Sequence, residues 1–175
     1  INAISGYSGG GNSMIQSFED KNSPEFTDDV FRVYALSLEH KHIPEIQKHS
    51  NLKHRPLFMP SVGRFAQGMI VQLPLQLWSL PRLPKSNDLL DALADHYKNQ
   101  PLINVVGSRE TAEIKSIQPE ALKGSNELKL YVFNNKSEQI SKNENQVVVM
   151  ALLDNLGKGA SGQAIQNMDL MLNLT

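Results

Sequence analysis

The chain has 175 residues, 40% of them hydrophobic and 20% charged, with a formal net charge of −1; it is long and apolar enough for one domain with a real core rather than a disordered segment. There is no basic excess to neutralise a phosphate backbone and no apolar run near the ~20 residues of a membrane helix, so neither nucleic acid nor membrane is expected as a partner. The absence of cysteine excludes a disulfide framework, a thiolate-bound metal and any thiol nucleophile supplied from within the chain.

The chain opens on Ile1-Asn2-Ala3-Ile4, which reads as a strand, and Ile1 to Gly11 lacks the basic start and long apolar segment of a signal peptide. Opening in mid-element is expected of a domain belonging to a longer protein. Gly6 to Gly11 then forms a turn, and Ser13 to Phe18 a short helix. Asn22 to Asp29 is a polar loop around Pro24. Val30 to Leu38 alternates as a strand, with Phe31, Val33, Ala35 and Ser37 on one face. Pro44 suits the first turn of a helix running through Glu45 to His49.

Pro56 to Val62 and Gly68 to Trp78 are the next strands. In the second, Met69, Val71, Leu73 and Leu75 alternate with Ile70, Gln72, Pro74 and Gln76, and Pro74 calls for a bulge or an edge position. Trp78 and the leucines around it read as core or as an oligomer face. Ser86 is placed to cap a helix over Asn87 to Lys98, with Leu89, Leu93 and Tyr97 on one face. Ile103 to Val106, Leu128 to Phe133 and Gln146 to Leu153 are strands, the last two separated by a polar hairpin tip from Asn134 to Asn145. The chain closes in a helix from Lys158 to Leu172 with an apolar stripe of Ala160, Ala164, Met168 and Met171. Strands outnumber helices and several are adjacent in sequence. The pattern therefore predicts a single α+β domain, a mixed, mainly antiparallel sheet with helices on one face.

Four segments carry polar groups that chemistry can use. His40 and His42, one residue apart, project to the same side of an extended segment, with Tyr34 at the same parity. Two imidazoles there serve as general acid and base, as metal ligands, or as plain surface histidines; no third ligand is spaced nearby for a metal. The Gly6-to-Gly11 loop is either an anion cradle before a helix or a flexible turn, and it lacks both the P-loop and the Gly-x-Gly-x-x-Gly spacing. Asn155, in Asp154-Asn155-Leu156-Gly157, has an amide able to meet a planar carboxamide, or Asp154 or Asn155 simply caps the last helix. Arg64, in the Gly63-to-Gly68 connection, is a carboxylate or phosphate fork or a solvated loop residue.

Taken together, Ser5-Gly6-Tyr7-Ser8-Gly9-Gly10-Gly11, His40-Lys41-His42-Ile43-Pro44-Glu45, Gly63-Arg64-Phe65-Ala66-Gln67-Gly68-Met69 and Asp154 through Asn167 occur in one order across nearly the whole chain. In this the chain resembles the shorter subfamily of N-acetyl-gamma-glutamyl-phosphate reductases. The resemblance implies the C-terminal, substrate-binding and dimerisation domain of such an enzyme, with a fold like the C-terminal domain of glyceraldehyde-3-phosphate dehydrogenase. A dinucleotide-binding domain and the catalytic cysteine would lie outside this chain.

It further implies NADPH-dependent reduction of N-acetylglutamyl 5-phosphate to the semialdehyde through a cysteine thioester, on the arginine biosynthesis path in the cytoplasm, by a homo-oligomer (a dimer or a tetramer). By the same resemblance His40 and His42 are the catalytic pair near the cysteine, and Glu45 orients them. Ser5, Tyr34 and Arg64 would meet substrate, and Gly6, Ser8, Gly9 and Asn155 the NADP nicotinamide; no metal is implied. Asn12 departs from the basic residue common after the glycines, and Ser61 and Gln67 from a His and an Arg of the longer subfamily. The competing expectation is a non-catalytic oligomerisation domain of the same fold, motivated by the apolar run from Met69 to Trp78.

Overall fold

A computed structural model describes residues 1–135 and 145–174. Within them seven strands form one sheet in the order β2-β3-β1-β4-β7-β6-β5. The strands are β1 (Asn2–Gly6), β2 (Phe31–Val33), β3 (Met59–Gly63), β4 (Met69–Gln76), β5 (Ile103–Val105), β6 (Leu128–Asn134) and β7 (Gln146–Leu153). Only β1 with β3 and β5 with β6 run parallel; the other four pairings are antiparallel. The expected mixed, mainly antiparallel α+β class is therefore the one found.

Period-two alternation divides the sheet into two apolar faces. On one, Ala3, Met69 and Val71 pack with Phe58 and with Ile43 and Ile46 of helix α2 (His42–His49). Further along that face Leu75, Val132, Val147 and Val149 pack under Leu89, Leu90 and Leu93 of α3 (Ser86–Tyr97). On the other face Ile70, Tyr131, Phe133, Met150 and Leu152 meet Ile114, Ile117 and Leu122 of a strap that follows α4 (Ser108–Glu113). The remaining helices are α1 (Gly11–Glu19) and α5 (Gly162–Met171).

Several local expectations are revised. The strand expected over Val30 to Leu38 stops at Val33, because Ala35 and Leu38 take positive φ angles of 52° and 60° and close a turn. Arg55 holds that turn from outside, donating to the Leu38 carbonyl at 2.5 Å and to the Glu39 carboxylate at 2.7 Å. Helix α2 starts at His42 rather than Pro44, so Pro44 is its third residue; a first-turn N–H has no intrahelical partner, and proline there sacrifices nothing.

Ser86 is the first residue of α3, not its cap. The Asp88 carboxylate satisfies the start of that helix by accepting the Lys85 N–H at 2.7 Å. Pro74 makes no bulge: its pairing with Val148 is in register, and the β1 ladder has already ended at Gln72, which leaves an edge on that side. The final helix begins as a π-helical turn over Gly157–Ser161 before becoming α5, and its stripe is exposed. Residues 136–144 of the expected hairpin tip lie outside the described residues.

Candidate active site

The ends of the parallel pair β1 and β3 carry a cavity of about 350 Å³ on the α2 face of the sheet. Ser5, Gly6, Gly9, Tyr34, His40, His42 and Asn155, all singled out in the sequence, line it together. They are gathered from three separate segments, 5–9, 34–42 and the end of β7. Phe58, Pro60, Met69 and Met14 supply apolar walls that no sequence motif announced.

The histidines converge because of the Ala35–Leu38 turn, not because a strand continues to them. The His40 ring lies edge-on to Phe58 at 5.1 Å between centroids, with Tyr34 at 5.8 Å and His42 at 4.9 Å. His40 Nδ1 accepts the backbone N–H of His42 at 3.2 Å. That bond places the neutral ring's proton on Nε2. Burial, then repulsion from His42 and Lys41, holds the His40 pKa below the usual imidazole value, against a smaller opposing pull from Glu45.

His42 is arranged in the opposite sense. Its Nδ1 lies 2.6 Å from Glu45 Oε2, one helical turn on. A carboxylate at that nitrogen requires an N–H there and leaves Nε2 as the basic atom. The hydrogen bond from His42 in turn lowers the Glu45 carboxyl below its ordinary range. Glu45 stands outside the cavity lining and orients His42; it has no bond to His40. Burial raises the Tyr34 hydroxyl pKa, and this residue stays a neutral phenol.

The loop after β1 is pinned to the β3–β4 connection. Gly6, Tyr7 and Ser8 N–H groups donate to the carbonyls of Gly68, Phe65 and Ala66 at 2.9, 3.0 and 3.2 Å. Those three N–H groups are therefore committed to the protein, not to an anion. Gly6 is required by this approach, since a Cβ would stand 2.6 Å from the Ala66 carbonyl oxygen. Ser8 is buried behind the cavity, and its hydroxyl donates to the Ala66 carbonyl at 2.5 Å.

Asn155 and Asp154 close the site from the end of β7. Asn155 accepts the Gly68 N–H at 2.7 Å and donates to Ser8 Oγ at 2.9 Å. Asp154 is 0% exposed and faces no cation among the described residues; its carboxylate accepts N–H groups from Gly124 at 2.5 Å, Leu156 at 2.8 Å, Gly157 at 3.2 Å and the Gln67 amide at 3.0 Å. Burial pushes its pKa up, but those donors outweigh it and the net effect is a lowered value. The capping role expected at this corner falls to Asp154. Its bonds to Gly124 and Gln67 are tertiary and had no signature in the sequence.

Arg64 lies outside the cavity. Its guanidinium donates to the carbonyls of Asp29 at 3.1 Å, Phe18 at 3.0 Å and Thr27, and sits 5.1 Å over the Phe18 ring. No group of three or more His, Asp or Glu side chains able to hold a metal ion occurs among the described residues.

A mixed sheet of this order, with loop-borne polar groups gathered over its parallel pair, defines an α+β domain with a candidate binding site at the strand ends. The sequence profile of the family described as "Semialdehyde dehydrogenase, dimerisation domain" matches residues 1–155. The chain belongs to that family. It is 47% identical over 172 residues to an N-acetyl-gamma-glutamyl-phosphate reductase of Brucella anthropi and 46% identical over 172 residues to one of Brucella suis, covering 98% of this chain and 53% and 54% of those relatives. The chain thus spans about half the length of the curated relatives it matches.

Two solved structures share the fold: aspartate semialdehyde dehydrogenase II from Vibrio cholerae (TM-score 0.62, 16% identity) and a probable aspartate-semialdehyde dehydrogenase from Pseudomonas aeruginosa (TM-score 0.64, 15% identity). Each match covers 98% of this chain and 54% of the other. At such identities the likeness speaks for the fold, which is the one expected from the sequence.

Proposed function

We propose that this chain supplies the histidine-bearing half of an NADPH-dependent acyl-phosphate reductase acting on N-acetylglutamyl 5-phosphate. The observation that carries the reading is that His40 and His42, the latter bonded to Glu45, line one cavity together with Asn155. A cysteine from outside this chain would attack the acyl phosphate, forming a thioester and releasing phosphate; a bound nicotinamide would supply hydride to the thioester carbonyl carbon, and breaking of the C–S bond would release the aldehyde and regenerate the thiolate. His42, oriented by Glu45, takes the thiol proton at Nε2 and returns a proton to the product side. His40 remains neutral and offers its Nε2–H to a substrate oxygen. Tyr34 and Ser5 line the substrate side.

The residues present fit a nicotinamide. Gly9 leaves a shelf that a Cβ would fill, at 2.8 Å from Ser5 Oγ and 3.3 Å from Asn155 Nδ2. The Asn155 amide retains an N–H for an acceptor on the ring's carboxamide. Arg64 is read as a structural residue. The family description and the apolar sheet support a homo-oligomer, a dimer as the minimal form.

The test joins the amino-terminal half of the Brucella anthropi relative ahead of Ile1 and measures NADPH oxidation with N-acetylglutamyl phosphate. Turnover is expected from the joined polypeptide and none from the 175-residue chain alone. His42→Asn is expected to lower kcat by roughly 10²- to 10⁴-fold. Absence of turnover in the joined protein would remove the reading and favour a domain that only associates.

A further inference from the structure

Asn155 lines the cavity, and two independent bonds decide which way its amide points. The single Ser8 hydroxyl proton is spent on the Ala66 carbonyl at 2.5 Å, so Ser8 Oγ can only accept from Asn155, and Nδ2 must face it. The Gly68 N–H, at 2.7 Å, requires Oδ1 on the other side. What remains of the amide is one N–H donor and one lone pair. The orientation therefore depends on where the Ala66–Gly68 corner stands.

That corner is held by the adjacent residue. Gln67 Nε2 reaches both Asp154 oxygens, at 3.3 and 3.0 Å, across 87 positions of sequence. Asp154 is itself fixed by three backbone N–H groups, from Gly124, Leu156 and Gly157. Asp154 and Asn155, neighbours in the chain, thus grip Gln67 and Gly68, neighbours in the facing loop. The same loop's carbonyls carry Gly6, Tyr7 and Ser8.

We infer that Gln67 and Asp154 form a positioning pair that sets the Asn155 amide and the Gly6–Gly9 shelf for the nicotinamide carboxamide. Neither residue touches the ligand; both act through Asn155 and the loop. The assignment of the ligand rests on the function proposed above, whereas the coupling of Gln67 to Asn155 does not. Gln67→Leu is the informative change. It severs only the side-chain arm and leaves three backbone donors on the Asp154 carboxylate, so the fold persists. Asp154→Asn places an amide against N–H donors and disturbs the same corner from the other end.

The experiment has two readouts. In the ¹⁵N-labelled joined polypeptide, Gln67→Leu is expected to shift the Asn155 side-chain amide resonances and to speed their hydrogen exchange by roughly tenfold, the equivalent of one ordinary hydrogen bond. In the joined polypeptide it is expected to raise KM for NADPH by about three- to tenfold while KM for the acyl phosphate stays within about twofold. Val132→Ala, in the core under α3, serves as a destabilised control that moves neither readout. Unchanged Asn155 resonances and an unchanged ratio of the two KM values in Gln67→Leu, with only a lower melting temperature, would overturn the inference. If the joined wild-type protein is inactive, the proposed reaction falls, and the amide exchange rates alone decide the positioning role.

Discussion

At the scale of single residues, position in the chain says little about what Asp154 and Arg64 do. Asp154 is a carboxylate with no cation beside it among the described residues, kept charged by four N–H donors despite complete burial. Because its folded pKa lies below that of the unfolded chain, its contribution to stability is fully present above ~3.9 and is lost as the pH falls through the lower folded value. Asp154→Asn is expected to cost roughly 2–4 kcal/mol near pH 6. Melting temperatures of wild type and variant, measured from pH 6 down to pH 2, should converge below the ~3.9 mark. A gap that stays constant to pH 2 would contradict the charged, donor-saturated state of this group.

Arg64 illustrates why a motif residue need not be a ligand residue. Each of its guanidinium nitrogens is engaged by a backbone carbonyl of the 18–29 segment, and its planar face covers Phe18.

At the scale of elements, the stretch from α1 to β2 is tied down by that side chain together with two backbone bonds, Thr27 N–H to the Ser17 carbonyl at 2.8 Å and Arg64 N–H to the Val30 carbonyl at 2.8 Å. Residues 20–30 contain no strand and no helix of their own, so the ties from Arg64 substitute for a ladder. Arg64→Lys keeps the charge but loses the three-pronged geometry. It is expected to destabilise the domain by about 1–3 kcal/mol and to open the 20–30 segment to limited proteolysis before global unfolding. An unaltered cleavage pattern would mean that other contacts hold the segment. The Ala35–Leu38 turn is the second element-level device. By ending β2 early it swings His40 back over Phe58 and lets α2 begin at His42, so that Glu45 falls one turn from the imidazole it orients.

At the scale of the whole molecule, the two ends of the chain differ in how they use apolar surface. The sheet buries its alternating residues on both faces. In α5 and the residues after it, Ile165, Met168, Leu170, Met171, Leu172 and Leu174 are each at least half exposed, Met171 reaching 83%. A strip of this kind is normally covered. The 175-residue chain is therefore expected to form species larger than a dimer at concentrations above the micromolar range. A Met168→Gln, Met171→Gln double variant should reduce those species in light scattering while leaving a sheet-mediated dimer intact. Loss of the dimer itself in that variant would assign the dimer contact to α5.

What the sequence by itself determined is whatever depends on period and on local chemistry. The alternation of Met69 to Gln76, the apolar run of Gln146 to Leu153, the amphipathic helix over Leu89 and Leu93, and the α+β class followed from spacing that the backbone must obey. The approach of His42 to Glu45 was not legible from the local pattern, which placed the helix start at Pro44 and the histidines on an extended segment; it follows from α2 beginning at His42, which sets the two residues one helical turn apart. What only the tertiary structure decided is whatever depends on two distant segments meeting. Ser5, Tyr34, His40 and Asn155 share one cavity because β1 lies between β3 and β4 and because β7 pairs with β4. The pairing of Gln67 with Asp154 and the role of Arg64 are of the same kind: each is a hydrogen bond between side chain and partner brought together by strand order, and no local pattern encodes strand order.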